Sequence, residues 1–425
     1  MNTTLRGSVL RIRDYRLLWF GETARTLGNS VTSVTLPLIA VTVLDTGATA
    51  VGALAAVVWL PWMLIGLPVG AWVDRMRRRP VMIVCNTVSA VLCASVPLAA
   101  WLDALTFAQL LIVALALGTS AVFFNTANHA YLPTVLTEGD LLEGNSKLQA
   151  SESATNVAGP GLAGLITQFI GAVAGLLLDA FTFLVSTLCL TSIRATEPPP
   201  APDAPAESLR SRIGEGLRFV LRDRYLRPMV IYGALVNLAL MGYQAVQVVF
   251  LVRTVGVNSA TVGMLLTSGS IGGIVGAVVA EAVGRRFGTG RGMLLMQLLT
   301  CPFALLMPLA TEGAGLVLYA GGAFVIGVGI TSCNVVLGSF RQTYCPPGLL
   351  GRVVATTMVL NHSTIPLGSL LGGFIGDALG PRAAMWIMTG LLAPCWVILA
   401  FGPMRRQRDL PTSHRSAGIP EKDRT

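Results

Sequence analysis

The stretch Ala50–Met82 reads AVGALAAVVWLPWMLIGLPVGAWVDRMRRRPVM. About two dozen apolar or small residues run from Ala50 to Val73 and stop at Asp74-Arg75-Met76-Arg77-Arg78-Arg79, and a second apolar run starts at Pro80. A water-soluble core has no use for an uninterrupted run of that length. A hydrocarbon slab ~30 Å thick needs ~20 apolar residues per helical crossing, and Lys/Arg excess in short loops marks the cytoplasmic side. The stretch therefore predicts a transmembrane helix, a cytoplasmic hairpin loop and the next helix, and it orients the rest of the chain.

The 425 residues are 53% hydrophobic and only 12% charged, with a mean hydropathy of +0.69. Soluble domains carry roughly 25% charged residues, so this composition belongs in a bilayer. The 46 glycines suit close packing between membrane helices. A net charge of +9 invites a nucleic-acid reading, but the basic residues are spread over short loops between apolar spans, so no nucleic acid is expected. Seven cysteines lie mostly inside apolar runs without a CxxC pair, and neither a disulfide framework, a metal site nor a cofactor is expected.

Further apolar spans follow the same logic. They are Leu17–Leu44, Ala50–Val73, Pro80–Leu102, Phe107–Tyr131, Gln149–Ile170 and Gly171–Ile193, then Pro228–Thr254, Thr261–Val283, Gly292–Ala310, Gly315–Phe340, Val353–Leu379 and Arg382–Pro403. Between the two sets of six lies a linker, 194–227, that is rich in proline and then basic and helix-compatible. This predicts an amphipathic helix along the inner surface. With both ends inside, 27 of the 30 Lys and Arg residues fall on the cytoplasmic side, and a shift of one helix would destroy that segregation.

The halves also repeat. Arg13 and Arg222 precede spans one and seven (222 − 13 = 209), Asp74 and Glu281 end spans two and eight (281 − 74 = 207), and Pro160 and Pro366 sit in spans five and eleven (366 − 160 = 206). The expected fold is an all-α membrane protein of twelve transmembrane helices in two parallel six-helix repeats. Bundles are expected over 1–193 and 228–403, with a cytoplasmic tail from 404 to 425.

At these residues the chain resembles the major facilitator superfamily over essentially its whole length. Gly70, Asp74, Arg75, Arg78 and Arg79 are similar to the superfamily's loop 2–3 signature, with Arg77 in place of its usual glycine. Gly159-Pro160-Gly161-Leu162-Ala163-Gly164 resembles the span-five motif of the twelve-helix drug:proton antiporter branch, with Thr155 and Ala163 departing from it. The resemblance implies a central cavity lined by spans one, four, seven and ten. Physically, an acid such as Asp74 or Glu281 at a cytoplasmic helix end can face the positive N-terminus of another helix and act as a gate; the alternative is a topology anchor. In span five, Pro160 with Gly159 and Gly164 can form a kink that closes one helix on its neighbour; the alternative is ordinary small-residue packing.

The first span carries the clearest polar chemistry. Glu22, Thr26, Asn29 and Ser33 recur on one side of an otherwise apolar helix with Arg25 beside them, and that side cannot face lipid. Glu22 and Arg25 are the first proton-coupling candidates; a static ion pair is the alternative. Asp179 in span six is the second, though its place a turn or two from the outer end favours simple hydration. Span seven offers Asn237, Met241 and Gln244 on one face, and the resemblance adds Asn334 to the cavity. Leu115 stands where many proton-coupled relatives carry an arginine, which shifts the coupling role to Glu22.

The sequence thus predicts a secondary transporter, and no enzyme, that exports an amphipathic or hydrophobic small molecule by alternating access against inward proton movement. It is expected as a monomer in the cell membrane with both termini cytoplasmic. A siderophore or metabolite exporter and a proton-coupled importer are the alternatives within the same fold.

Overall fold

The structure, a computed structural model, describes residues 9–137, 140–197, 217–345 and 347–411, and among these it is helical with no strand. The physical reason is that a bilayer interior offers backbone amides no water, so each segment must satisfy its own hydrogen bonds. The helices are α1 (Arg13–Thr42), α2 (Ala48–Asp74), α3 (Arg78–Trp101), α4 (Phe107–Val135), α5 (Leu141–Ile170) and α6 (Ala172–Ser192). After the linker come α7 (Leu226–Val249), α8 (Ser259–Phe287), α9 (Thr289–Thr300), α10 (Leu316–Tyr344), α11 (Pro347–Leu379), α12 (Pro381–Leu392) and α13 (Trp396–Phe401). The proline-rich part of the linker and the first ten residues of its basic segment fall on 198–216, outside the described residues. The end of the tail, from 412, does too.

Among the described residues, nine segments are long and apolar enough to cross a membrane. Helices α1, α5 and α11 are not among them. Each is interrupted by polar residues: Glu22 and Arg25 in α1, Glu143 to Glu152 in α5, and Asn361 to Thr364 in α11.

Several boundaries differ from the sequence expectation. Helix α5 starts eight residues before Gln149, because a helix need not stop where hydrocarbon stops; its polar first turns carry a Glu143–Lys147 pair at 3.6 Å. The ninth span is α-helical only to Thr300 and continues as a 3₁₀ segment, Cys301–Leu309, that contains Pro302 and Pro308. Proline has no N–H to donate, so the regular ladder cannot pass through. The twelfth is broken between Leu392 and Trp396, around Pro394.

The repeat reappears in the backbone. Gly171 joins α5 to α6 with φ 94° and ψ 156°, and Gly380 joins α11 to α12 with φ 90° and ψ 153°. Their separation (380 − 171 = 209) matches that of Arg13 and Arg222, and only glycine adopts such angles without strain.

The chain forms two compact units. In the first (Met1–Thr46, Ala53–Ala204, Val257–Thr267), α1 packs along α5 and α6, and α3 along α4 and α6. Its buried cluster includes Tyr15, Leu18, Val73, Met82, Phe124 and Tyr131. The Tyr15 hydroxyl, ahead of the first apolar span, donates to the Gly144 carbonyl at 2.8 Å, and burial raises that phenol to about 12. In the second unit (Gly47–Gly52, Pro205–Gly256, Ser268–Thr425), α7 packs on α11 and α12, and α10 on α9 with its 3₁₀ continuation. There Asp223 accepts from the Tyr225 and Leu226 amides at the start of α7, both at 2.8 Å, and from the Tyr344 hydroxyl at 2.7 Å.

Candidate transport site

Helix α1 brings its acid and base together. Arg25 is 5% exposed. Its guanidinium donates to both oxygens of Glu22, at 2.9 and 3.1 Å, and to Asn125 Oδ1 of α4 at 3.1 Å, and it lies 3.9 Å from the centre of the Phe124 ring. An unpaired guanidinium could not be buried this way, so the carboxylate, amide and ring together replace its lost hydration. Of the other α1 candidates, Thr26 and Asn29 are half-buried and Ser33 is exposed. The Thr26 hydroxyl bonds the Glu22 carbonyl and Ser33 the Ser30 carbonyl, both at 2.8 Å.

Asp179 is not hydrated, contrary to the expectation from its sequence position. It is fully buried between α1, α3 and α6. Its carboxyl accepts from the hydroxyl of Thr32, from Thr182 at 3.2 Å and from the thiol of Cys93 at 3.6 Å. Gly28 explains the burial. A Cβ there would collide with the Asp179 carboxyl and the Thr182 hydroxyl, so the missing side chain lets α1 lie over the acid.

The second unit holds an open cavity between α7, α10 and α11. Val230, Val236, Ile330 and Leu337 give it apolar walls, and Asn237, Asn334, Asn361, Thr357, Arg341 and Tyr232 its polar groups. No acid lines it. Asn237 and Asn334 were legible in the sequence; Arg341, Thr357 and Asn361 were not singled out. Met241 and Gln244 are half-buried and lie outside this lining.

Residues of the loop signature act on neighbouring helix ends within the first unit. Arg79 donates to the Leu190 and Thr191 carbonyls at the end of α6, at 2.8 and 2.7 Å, and the Arg78 amide donates to Glu197 at 2.6 Å. Gly70 faces open space and Arg75 is exposed. Asp74 ends α2, but its side chain lies outside the described residues. Glu281 forms an exposed pair with Arg285 at 2.8 Å, a contact of little energetic weight. In α5, Gly159 rests on Ser30. A Cβ on Gly164 would come within 2.9 Å of the Gly263 Cα, on the turns of α8 that belong to this unit, and Pro160 lies beside that contact.

A bundle of apolar helices with a buried ion pair in one unit and an amide-lined cavity in the other is the framework of a multi-pass membrane transporter. Solved transporters share this fold. The nucleoside transporter NupG aligns with a TM-score of 0.75 at 13% identity, over 93% of this chain and 99% of that one. A bacterial homologue of the iron transporter ferroportin gives 0.73 at 16%, over 92% and 98%. The chain belongs to the transmembrane secretion effector family of the major facilitator superfamily, whose profile matches residues 6–421. It is 31% identical to the multidrug efflux pump Tap of Mycolicibacterium fortuitum, over 96% of this chain and 99% of that one. It is also 28% identical to Tap of Mycobacterium tuberculosis, over 89% and 92%. Its likeness to the enterobactin exporter EntS of Citrobacter koseri is lower, 23% over 82% and 83%.

Proposed function

We propose that the protein is an exporter of amphipathic or hydrophobic small molecules, working by alternating access and driven by proton antiport. The observation that carries this reading is the cavity in the second unit, with apolar walls and scattered amides. Such a lining binds and releases; it holds no convergent acid, base and nucleophile for a reaction. The relatives named as multidrug efflux pumps support export, and the weaker likeness to a siderophore exporter leaves that narrower role second.

Coupling runs through Glu22 in this reading. When ionised it holds Arg25; a proton on it cancels the attraction and leaves a buried guanidinium with only Asn125 and Phe124, which favours rearrangement of α1. Asp179 is the second proton candidate. Gly70, Asp74, Arg75, Arg78 and Glu281 on the loop side, with Gly159, Pro160 and Gly164 in α5, are the gating residues. The protein acts as a monomer of two six-helix bundles in the cell membrane, with both termini and the linker cytoplasmic, and has no enzymatic activity.

Transport into membrane vesicles with imposed pH gradients tests the reading. The Glu22→Gln variant should still bind substrate and lose gradient-driven accumulation. Full accumulation by that variant would remove Glu22 from the coupling role.

A further inference from the structure

The cavity of the second unit contains groups that nothing among the described residues satisfies. Thr357 is only 5% exposed, lines the cavity, and its hydroxyl has no hydrogen-bond partner among the described residues. One turn on, Asn361 Oδ1 is buried and equally unpartnered. The Asn361 amide sits over Gly233 of α7, where a Cβ would lie 3.0 Å from it. Arg341, half-buried in the last turn of α10, donates through Nε to the Leu337 carbonyl at 3.2 Å and makes no ion pair among the described residues. A hydroxyl, an amide oxygen and a guanidinium thus belong to one cavity lining, with no acid among its described residues. Leaving buried polar atoms unsatisfied is unfavourable unless something else pairs with them.

We propose that this lining forms a subsite for an ionised acid group of the exported molecule. The carboxylate, or an equivalent anionic oxygen, is bound by the free N–H groups of Arg341 and by the Thr357 hydroxyl, and an adjacent N–H or O–H of the same molecule donates to Asn361 Oδ1. The preferred substrates are then amphiphiles with an acid beside an amide or hydroxyl, apolar end toward Val230, Val236 and Ile330. Arg341 selects charge, since a guanidinium binds a carboxylate through two parallel N–H donors. Asn361 and Thr357 select the neighbouring donor. This inference rests on the exporter reading for its substrate and adds the chemical class.

The test uses the full-length protein in lipid nanodiscs and three fluorescent probes with one apolar group: N-(1-pyrenylbutyryl)glycinate, its neutral glycinamide, and 1-pyrenylbutylammonium. Binding is measured against protein-free nanodiscs. The wild type should prefer the glycinate. Arg341→Gln should weaken the glycinate by about tenfold or more, the factor expected for a lost charge-assisted pair, leave the glycinamide unchanged, and be partly rescued by Arg341→Lys. Thr357→Val is nearly isosteric and removes a hydroxyl that has no partner to lose, so the variant should fold as well as wild type and still bind the glycinate severalfold less tightly. Equal binding of glycinate and glycinamide, or a preference that survives both Arg341→Gln and Thr357→Val, would overturn the inference. Export of all three probes in vesicles without acid preference would overturn it and leave the exporter reading intact. Arg341-dependent glycinate binding with no movement of any probe would instead support the subsite and sink the exporter reading.

Discussion

Replacing Glu22 by glutamine should destabilise the protein through Arg25. The pair has two N–H···O contacts, at 2.9 and 3.1 Å, around a guanidinium that is 5% exposed. Removing one member of a buried pair costs about 3–5 kcal/mol, because the partner stays buried and uncompensated. Glutamine keeps one acceptor, and Asn125 and Phe124 remain, so about 1 kcal/mol of that is retained and the expected loss is about 2–4 kcal/mol. Arg25→Gln leaves Glu22, which at 15% side-chain exposure has some hydration, so its loss should be smaller, about 1–2 kcal/mol. The double variant removes both charges and should recover part of the sum, with a coupling of about 2 kcal/mol in the cycle. Denaturant unfolding of the purified protein in lipid–detergent micelles, followed by tryptophan fluorescence, measures all four corners. Additive losses within about 0.5 kcal/mol would refute the mutual dependence of the pair, and with it the idea that a proton on Glu22 destabilises the resting arrangement.

Asp179→Asn should fold with a loss of about 1–2 kcal/mol, since the amide offers the surrounding hydroxyls one acceptor in place of two, and it should keep gradient-driven transport if Glu22 is the coupling acid; loss of coupling with binding intact would move that role to Asp179. Gly28→Ala should be worse than its size suggests, about 1–3 kcal/mol by overpacking against the Asp179 carboxyl and Thr182, and a neutral result in the same unfolding assay would mean that α1 can shift away from α6. Tyr15→Phe should cost about 1 kcal/mol by leaving the Gly144 carbonyl without its donor. Because burial raises the Tyr15 phenol from its usual 10 to about 12, that contribution is intact below pH 10 and falls away as pH rises toward 12; a stability difference between wild type and Tyr15→Phe that is independent of pH up to 12 would contradict it.

Much of the fold was readable because hydrocarbon imposes a length and a polarity on each segment. Runs that end in arginine located the helices, and the spacing of Glu22 and Arg25 on one helix face foretold their pairing. What the chain brings from far away was not readable. Asn125 lies a hundred residues from Arg25 and is one polar residue among several in α4. Asp179 looked hydrated by its distance from the end of an apolar run, and the packing of Gly28 of α1 and Cys93 of α3 against α6 closes it off. Arg341 looked like one more cytoplasmic anchor, since the charge count that fixes topology cannot distinguish an arginine in a cavity wall from one in a loop. Glu281 shows the converse. Its offset from Asp74 made it legible as a candidate gate, but its pairing with Arg285 on an exposed helix end was not.

The central claim, proton-driven export, is tested most directly in inside-out vesicles that hold the wild-type protein, with N-(1-pyrenylbutyryl)glycinate outside and an acidic lumen. The account predicts uptake into the lumen that collapses when a protonophore removes the gradient and that Glu22→Gln does not support. Uptake that is indifferent to the gradient, or net movement out of the lumen under the same gradient, would contradict it.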